Sequence, residues 1–150
     1  MKPGVLMLAE PLARQIEAEG TAAYPNECCG AMLGQDESTG QRRVQRLEPL
    51  INSFVPGERF HRFSLDGRDL MRTEKAASAQ GMAVLGFYHS HPDHPARPSE
   101  YDREHAWPFY SYVIVAITAG EPSDMTSWLL DEETRTFARQ DIETPKGNLP

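Results

Sequence analysis

The run Met82-Ala83-Val84-Leu85-Gly86-Phe87-Tyr88 carries no charge and closes on His89-Ser90-His91-Pro92. An apolar run of this kind reads as a buried strand. Strand side chains alternate between faces, so His89 and His91 project to the same side. The fold must therefore carry this strand into its core and let two imidazoles leave the end side by side. Pro92, Pro95 and Pro98 follow and make the next segment a rigid loop. Ser99 then opens a short helix, which places Asp102 on its first turn.

Two imidazole nitrogens and one carboxylate form a three-ligand set for zinc. Such a set leaves the fourth tetrahedral position open to water, which distinguishes a catalytic from a structural site. A plainer reading treats the histidines as polar strand ends. It treats Ser99 and Asp102 as a capping box, with Ser99 the N-cap and Asp102 at the third helical position. The two readings coexist for Ser99 and compete for the Asp102 carboxylate. The paired histidines need a third ligand, which favours ligation. Glu27, taken alone, is a solvated residue ahead of a strand. His94 lies in the proline-rich loop and is a candidate for substrate contact or an ordinary surface residue. His105 falls three residues after Asp102 and is a candidate outer support. His61 reads as structural. Trp107, Phe109 and Tyr110 read as core or groove wall.

Along the chain, Ala9 to Gly20 reads as an amphipathic helix with Leu12, Ala13 and Ile16 on one face and Gly20 as its stop. Cys28 to Leu33 is a short strand. Gln35 to Gly40 links it by a hairpin to Arg43–Leu50. Phe60 to Leu65 is a further strand candidate. Asp66 to Gln80 fits a helix ended by Gly81. Met82 to His91 is the histidine strand, Ser99 to Trp107 a short helix, and Tyr112 to Thr118 a β-branched buried strand. Met125–Leu130 and Thr134–Arg139 form a final hairpin. The tail from Ile142, residues 142–150, is expected to be mobile, which leaves a single domain over 1–141. This mixed order implies an α+β fold, helices packed against a sheet.

The chain has 150 residues, enough for one domain with a real core. Its net charge of -7 argues against a nucleic-acid backbone as partner. No apolar stretch approaches the ~20 residues of a membrane span, and the start is too short for a signal peptide. The expected location is cytoplasmic. Cys28 and Cys29 are adjacent, which disfavours a disulfide, and too few for a structural zinc site.

His89-x-His91-Pro92 followed by Ser99-x-x-Asp102 resembles the signature of the JAMM (MPN-plus) metalloproteases. The wider stretch, Gly86 through Asp93 and Pro98 through Asp102, is similar to the short bacterial branch, which includes hydrolases acting on ubiquitin-like sulfur-carrier proteins. That family also uses a glutamate upstream on a strand close to the metal. Pro25-Asn26-Glu27-Cys28-Cys29-Gly30 matches its position. The resemblance implies a curved, mixed but mostly antiparallel sheet flanked by helices, in a deaminase-like sandwich. It implies Zn2+ on His89, His91 and Asp102, Glu27 as general base, and Ser99 beside the developing oxyanion. It implies an amide bond after the Gly-Gly tail of a ubiquitin-like or sulfur-carrier protein as the substrate. A non-catalytic scaffold is the alternative, but such relatives lose metal residues and this chain keeps them. A zinc deaminase would need His-x-Glu and Pro-Cys-x-x-Cys, and neither is present.

Overall fold

Among the residues described by the computed structural model, 4–37, 39–50 and 65–146, strands and helices alternate along the chain. The order is β1 (Val5–Met7), α1 (Glu10–Ala23), β2 (Cys29–Asp36), β3 (Gln41–Leu50), α2 (Gly67–Ala79), β4 (Ala83–Pro92), α3 (Glu100–His105), β5 (Ser111–Thr118), β6 (Glu121–Leu130) and β7 (Phe137–Glu143). The sheet order is β1-β3-β2-β4-β5-β6-β7, and β1 also pairs with β7, so the sheet curves until it closes into a barrel. The pairs β2–β3, β2–β4, β5–β6 and β6–β7 are antiparallel. The pairs β1–β3, β1–β7 and β4–β5 are parallel. The α+β class and the mostly antiparallel sheet are as expected, and among the described residues closure leaves no open sheet edge.

The histidine strand β4 lies between β2 and β5. Its register against β2 shifts between Met32 and Leu33. Beyond that irregularity the alternation is regular. Phe87 packs with Ala31, Leu33, Tyr112 and Leu130 on one side. Tyr88 packs with Leu12 and Ile16 of α1 and with Met32, Val113 and Val115 on the other. Burying each such large side chain contributes about 1.5–3 kcal/mol. A Cβ on Gly86 would come within 1.8 Å of the Ser111 carbonyl oxygen, so β5 approaches this closely only because no side chain intervenes.

Several expectations need correction. Gly20 does not stop α1; it is buried within it. A Cβ there would lie 2.9 Å from Ile117 Cδ1 and 3.5 Å from the Ser90 Cβ, so the glycine serves close packing of the helix on the sheet. The helix ends at Ala23 because Pro25 forces Tyr24 out of the helical region, at φ -48 and ψ 133. The strand β1 has only three residues, too few to show a period in the sequence. The last hairpin is longer on both arms than expected. β6 begins at Glu121, and β7 runs to Glu143. Ile142 pairs with Leu6 and packs on the core, so the start of the expected mobile tail is the strand that closes the barrel. The Glu143 and Pro145 carbonyls accept hydrogen bonds from Leu8 and Glu10 at 2.8 and 2.9 Å. Residues 147–150 lie outside the described residues. So does the strand expected over Phe60–Leu65, His61 included, except for Leu65, which is not in a strand.

Candidate metal centre

Alternation along β4 brings His89 and His91 to one face, with ring centroids 5.0 Å apart. Across from them stands the start of α3. Ser99 is its N-cap and accepts a hydrogen bond from the Asp102 N–H at 3.0 Å, while Asp102 Oδ2 accepts from the Ser99 N–H at 2.8 Å. The capping box therefore exists, and it aims Asp102 at the histidines instead of diverting it. His89 Nε2 lies 3.1 Å from His91 Nε2 and 3.3 Å from Asp102 Oδ1, and His91 Nε2 lies 3.2 Å from Asp102 Oδ2. The donor atoms of all three residues fall within 4.8 Å of one another.

These spacings suit a cation. A tetrahedron with bonds of about 2.0 Å has edges of about 3.3 Å. The tautomer agrees. His91 Nδ1 lies 2.8 Å from the Pro95 carbonyl, which can only accept, so Nδ1 carries the proton. In the neutral ring, Nε2 then presents a lone pair to another acceptor, the Asp102 carboxylate. Two acceptors at 3.2 Å need a proton or a metal between them. The rigid proline loop thus fixes the His91 ring through Pro95, a contact that the residue pattern did not advertise.

Glu27 is 8% exposed, and its Oε1 is buried with no hydrogen-bond partner. Two residues on, Cys29 pairs with His89 in the β2–β4 ladder, so the topology carries Glu27 to the histidine end of β4. Burial, reinforced by the charge of Asp102, pushes the Glu27 carboxyl up to about 9. Asp102 goes the other way. Burial would raise it, but the charge and hydrogen bond of His89, the His91 contact and the Ser99 N–H hold it well below the usual carboxylate range.

Ser99 is exposed. Its oxygen takes the Asp102 N–H, so its own proton remains available to donate outward. His94 stands apart from the triad, in a groove with Arg97, Asp124 and Arg139. His105 stacks on Tyr101 at 3.9 Å. With His89, Asp102, Phe87, Trp107 and Tyr112 it lines a cavity of about 20 Å³, room for about one water. Trp107 N–H donates to the Tyr112 hydroxyl at 2.7 Å. Phe109 is 72% exposed and lines surface grooves, so of its two expected places it takes groove wall and not core. Both cysteines are free, and burial raises Cys28 to about 11 and Cys29 to about 12, which keeps the thiols protonated at neutral pH. No described helix is long and apolar enough to cross a membrane.

The profile of the prokaryotic homologs of the JAB domain matches residues 9–131. The desampylase of Haloferax volcanii is 37% identical over 98 residues, covering 64% of this chain and 67% of that protein. A probable TtuB-protein conjugate cleaving protease of Thermus thermophilus is 37% identical over 110 residues, covering 73% of this chain and 69% of its own. The solution structure of a Desulfitobacterium hafniense protein superposes with a TM-score of 0.79 at 28% identity, covering 95% of this chain and 94% of that one. A structure described as a JAMM metalloprotease-like zinc site in the proteasome and signalosome has a TM-score of 0.51 at 17% identity, covering 95% of this chain and 99% of that one; it shares the fold.

Proposed function

Because the chain belongs to the prokaryotic JAB-domain family, we propose that it is a zinc metallopeptidase. Its substrate on this reading is the peptide or isopeptide bond after the C-terminal Gly-Gly of a small ubiquitin-like or sulfur-carrier protein. The observation that carries the reading is the set of His89, His91 and Asp102 donor atoms, 3.1–3.3 Å apart, with the His91 Nε2 lone pair turned on the Asp102 carboxylate. The names of the relatives, a desampylase in Haloferax and a probable TtuB-protein conjugate cleaving protease in Thermus, support a protein conjugate as the substrate class.

When bound to these three residues, zinc supplies Lewis acidity, acidifying water and polarising the scissile carbonyl. Glu27, whose ionised form a cation held by these residues favours, then accepts a proton from the attacking water through its unpartnered Oε1 and returns it to the leaving amine. The Ser99 hydroxyl donates to the developing oxyanion; a donor so placed contributes ~3 kcal/mol in the transition state. The proline loop keeps the groove narrow before substrate arrives, and a glycine tail enters because it has no β-carbons.

The test has two parts. Protein purified without chelator is assayed by elemental analysis, with about one zinc per chain expected from the three-ligand pattern. The loaded protein is then offered a sulfur-carrier protein extended beyond Gly-Gly, the same protein with Gly→Leu in the tail, and casein. Cleavage of the first alone supports the reading. A folded protein that refuses zinc removes the catalytic reading. Equal rates on the Gly→Leu tail, or brisk cleavage of casein, turn the enzyme into a general peptidase.

A further inference from the structure

Ser90 stands between the two histidine ligands and points to the opposite face of β4, where it is fully buried. Its Oγ accepts the Cys28 N–H at 2.8 Å, and its own N–H donates to the Cys28 carbonyl at 3.1 Å. Cys28 directly follows Glu27. Asp93 lies just beyond the second histidine, with φ +57, a conformation that Asp tolerates better than most residues. Its Oδ2 accepts from the Tyr24 hydroxyl at 2.5 Å, and its Oδ1 from the Ala119 N–H at 2.8 Å. Its own N–H donates to the Ile117 carbonyl at 2.7 Å. Tyr24 precedes Glu27 by three residues. The segment that bears Glu27 is thus tied on both flanks to the strand that bears His89 and His91.

We propose that Ser90 and Asp93 are positioning residues for Glu27, two clamps that hold the carboxylate at a fixed offset from the ligand strand. The proposal rests on the reading of Glu27 as general base. Neither clamp touches the donor face of β4: Ser90 points away from it, and Asp93 lies past its end. Their loss should therefore displace the base and leave the ligands where they are. The inner clamp is buried and strong. The outer one is exposed, so water competes for it, and its contribution is to orientation more than to stability. Orientation is the sensitive quantity, since a shift of about 1 Å in a reacting group can cost about 100-fold in rate.

The experiment uses the full chain loaded with zinc. Asp93→Gly deletes both acceptor atoms while accommodating φ +57 at no steric cost. Asp93→Asn restores the clamp, because its amide oxygen accepts from Ala119 N–H and its NH2 donates to the Tyr24 oxygen. Tyr24→Phe removes the hydroxyl that ties the Glu27 segment to Asp93, and Ser90→Ala removes the side-chain bond of the inner clamp while keeping its backbone bond. Asp93→Gly and Tyr24→Phe should each lower kcat about tenfold at unchanged KM and zinc content, with Asp93→Asn near wild type. Amide hydrogen exchange at Glu27 and Cys28 should quicken in Asp93→Gly and Ser90→Ala, with no change at Val113 in β5. Unchanged exchange at those amides, loss of zinc or a rise in KM in place of the kcat loss, or failure of Asp93→Asn to rescue would each overturn the proposal. If Ser90→Ala does not fold, the surface variants at Asp93 and Tyr24 decide alone. If wild-type protein cleaves no Gly-Gly probe, the substrate reading fails, and the exchange measurements still decide whether the clamps hold.

Discussion

The segment that leads into β2 and the segment that opens α3 each deliver one carboxylate to the same spot, and they treat it in opposite ways. Both are largely withdrawn from solvent: Glu27 is 8% exposed, and the Asp102 side chain 9%. Asp102 arrives on a helix whose cap donates to it, facing two imidazoles, and is held ionised. Glu27 arrives with one oxygen unpartnered and the Asp102 charge nearby, and is held protonated up to about 9. Burial alone does not set the role of a carboxylate; what donates to it does. A carboxylate satisfied by fixed donors suits a ligand that never moves its proton. One left unsatisfied suits a group that must take a proton and give it back.

The contrast breaks most severely at Glu27. Glu27→Gln keeps shape and burial but cannot accept the proton. Turnover should fall about 10³-fold, with zinc content and fold retained. Wild-type turnover in this variant would make the two carboxylates equivalent bystanders. Asp102→Asn should do the reverse and strike metal first. Loss of an outer partner of a ligand costs about 10–100-fold in affinity, so loss of a ligand charge should raise the zinc Kd by more than about 100-fold. Competition against a chelating dye measures it. An unchanged Kd would return Asp102 to the capping box alone.

Ser99 sits between the two effects, because it caps the helix and, on the proposed reading, donates to the substrate. Ser99→Ala retains the backbone N–H that holds Asp102 Oδ2, so zinc should stay bound. Loss of the hydroxyl should cut kcat about 100-fold. Loss of the cap should cost about 1 kcal/mol of stability. Thermal melts and steady-state kinetics on one preparation separate the two. A stability loss with full turnover would leave Ser99 a cap and nothing more.

How much of this could be read from the chain differs between the two carboxylates for a physical reason. His89, His91, Ser99 and Asp102 lie within one short stretch, where strand alternation, proline rigidity and helix capping are local rules. Their convergence follows from those rules. Glu27 reaches them only through the pairing of Cys29 with His89 across β2 and β4. No local rule encodes that register, and family resemblance alone pointed to Glu27. The same limit explains the other surprises. Gly20 looks like a helix stop in isolation, and only the Ile117 and Ser90 side chains beneath it reveal a packing role. Ile142 looks like the start of a tail because its partner, Leu6, lies at the other end of the chain. Ser90 and Asp93 lie in the stretch that carries the family resemblance, but nothing local marks a positioning role, since a serine between histidines and an aspartate after a proline are ordinary on any strand end.

The smallest effect isolates the unsatisfied carboxylate from catalysis altogether. In metal-free protein the Glu27 carboxyl titrates near 9 when folded, against an ordinary value of 4.5. Between those values the folded state holds a proton that the unfolded state has released. Stability must therefore fall as pH rises through this window. Glu27→Gln has no proton to lose, so its melting temperature should decline less over the same range. The variant should match wild type near pH 4.5 and exceed it by roughly 5 °C near pH 9, the scale expected when about 1–2 kcal/mol is removed from a chain of this size. Asp102 titrates below this window and cannot produce the difference, because its carboxyl is lowered. Zinc should shrink the gap, since a cation at the triad favours the ionised Glu27. Parallel melting curves for the two proteins across pH 5–9 would mean that the fold leaves the Glu27 carboxyl at its ordinary value, and the unsatisfied half of the contrast would disappear.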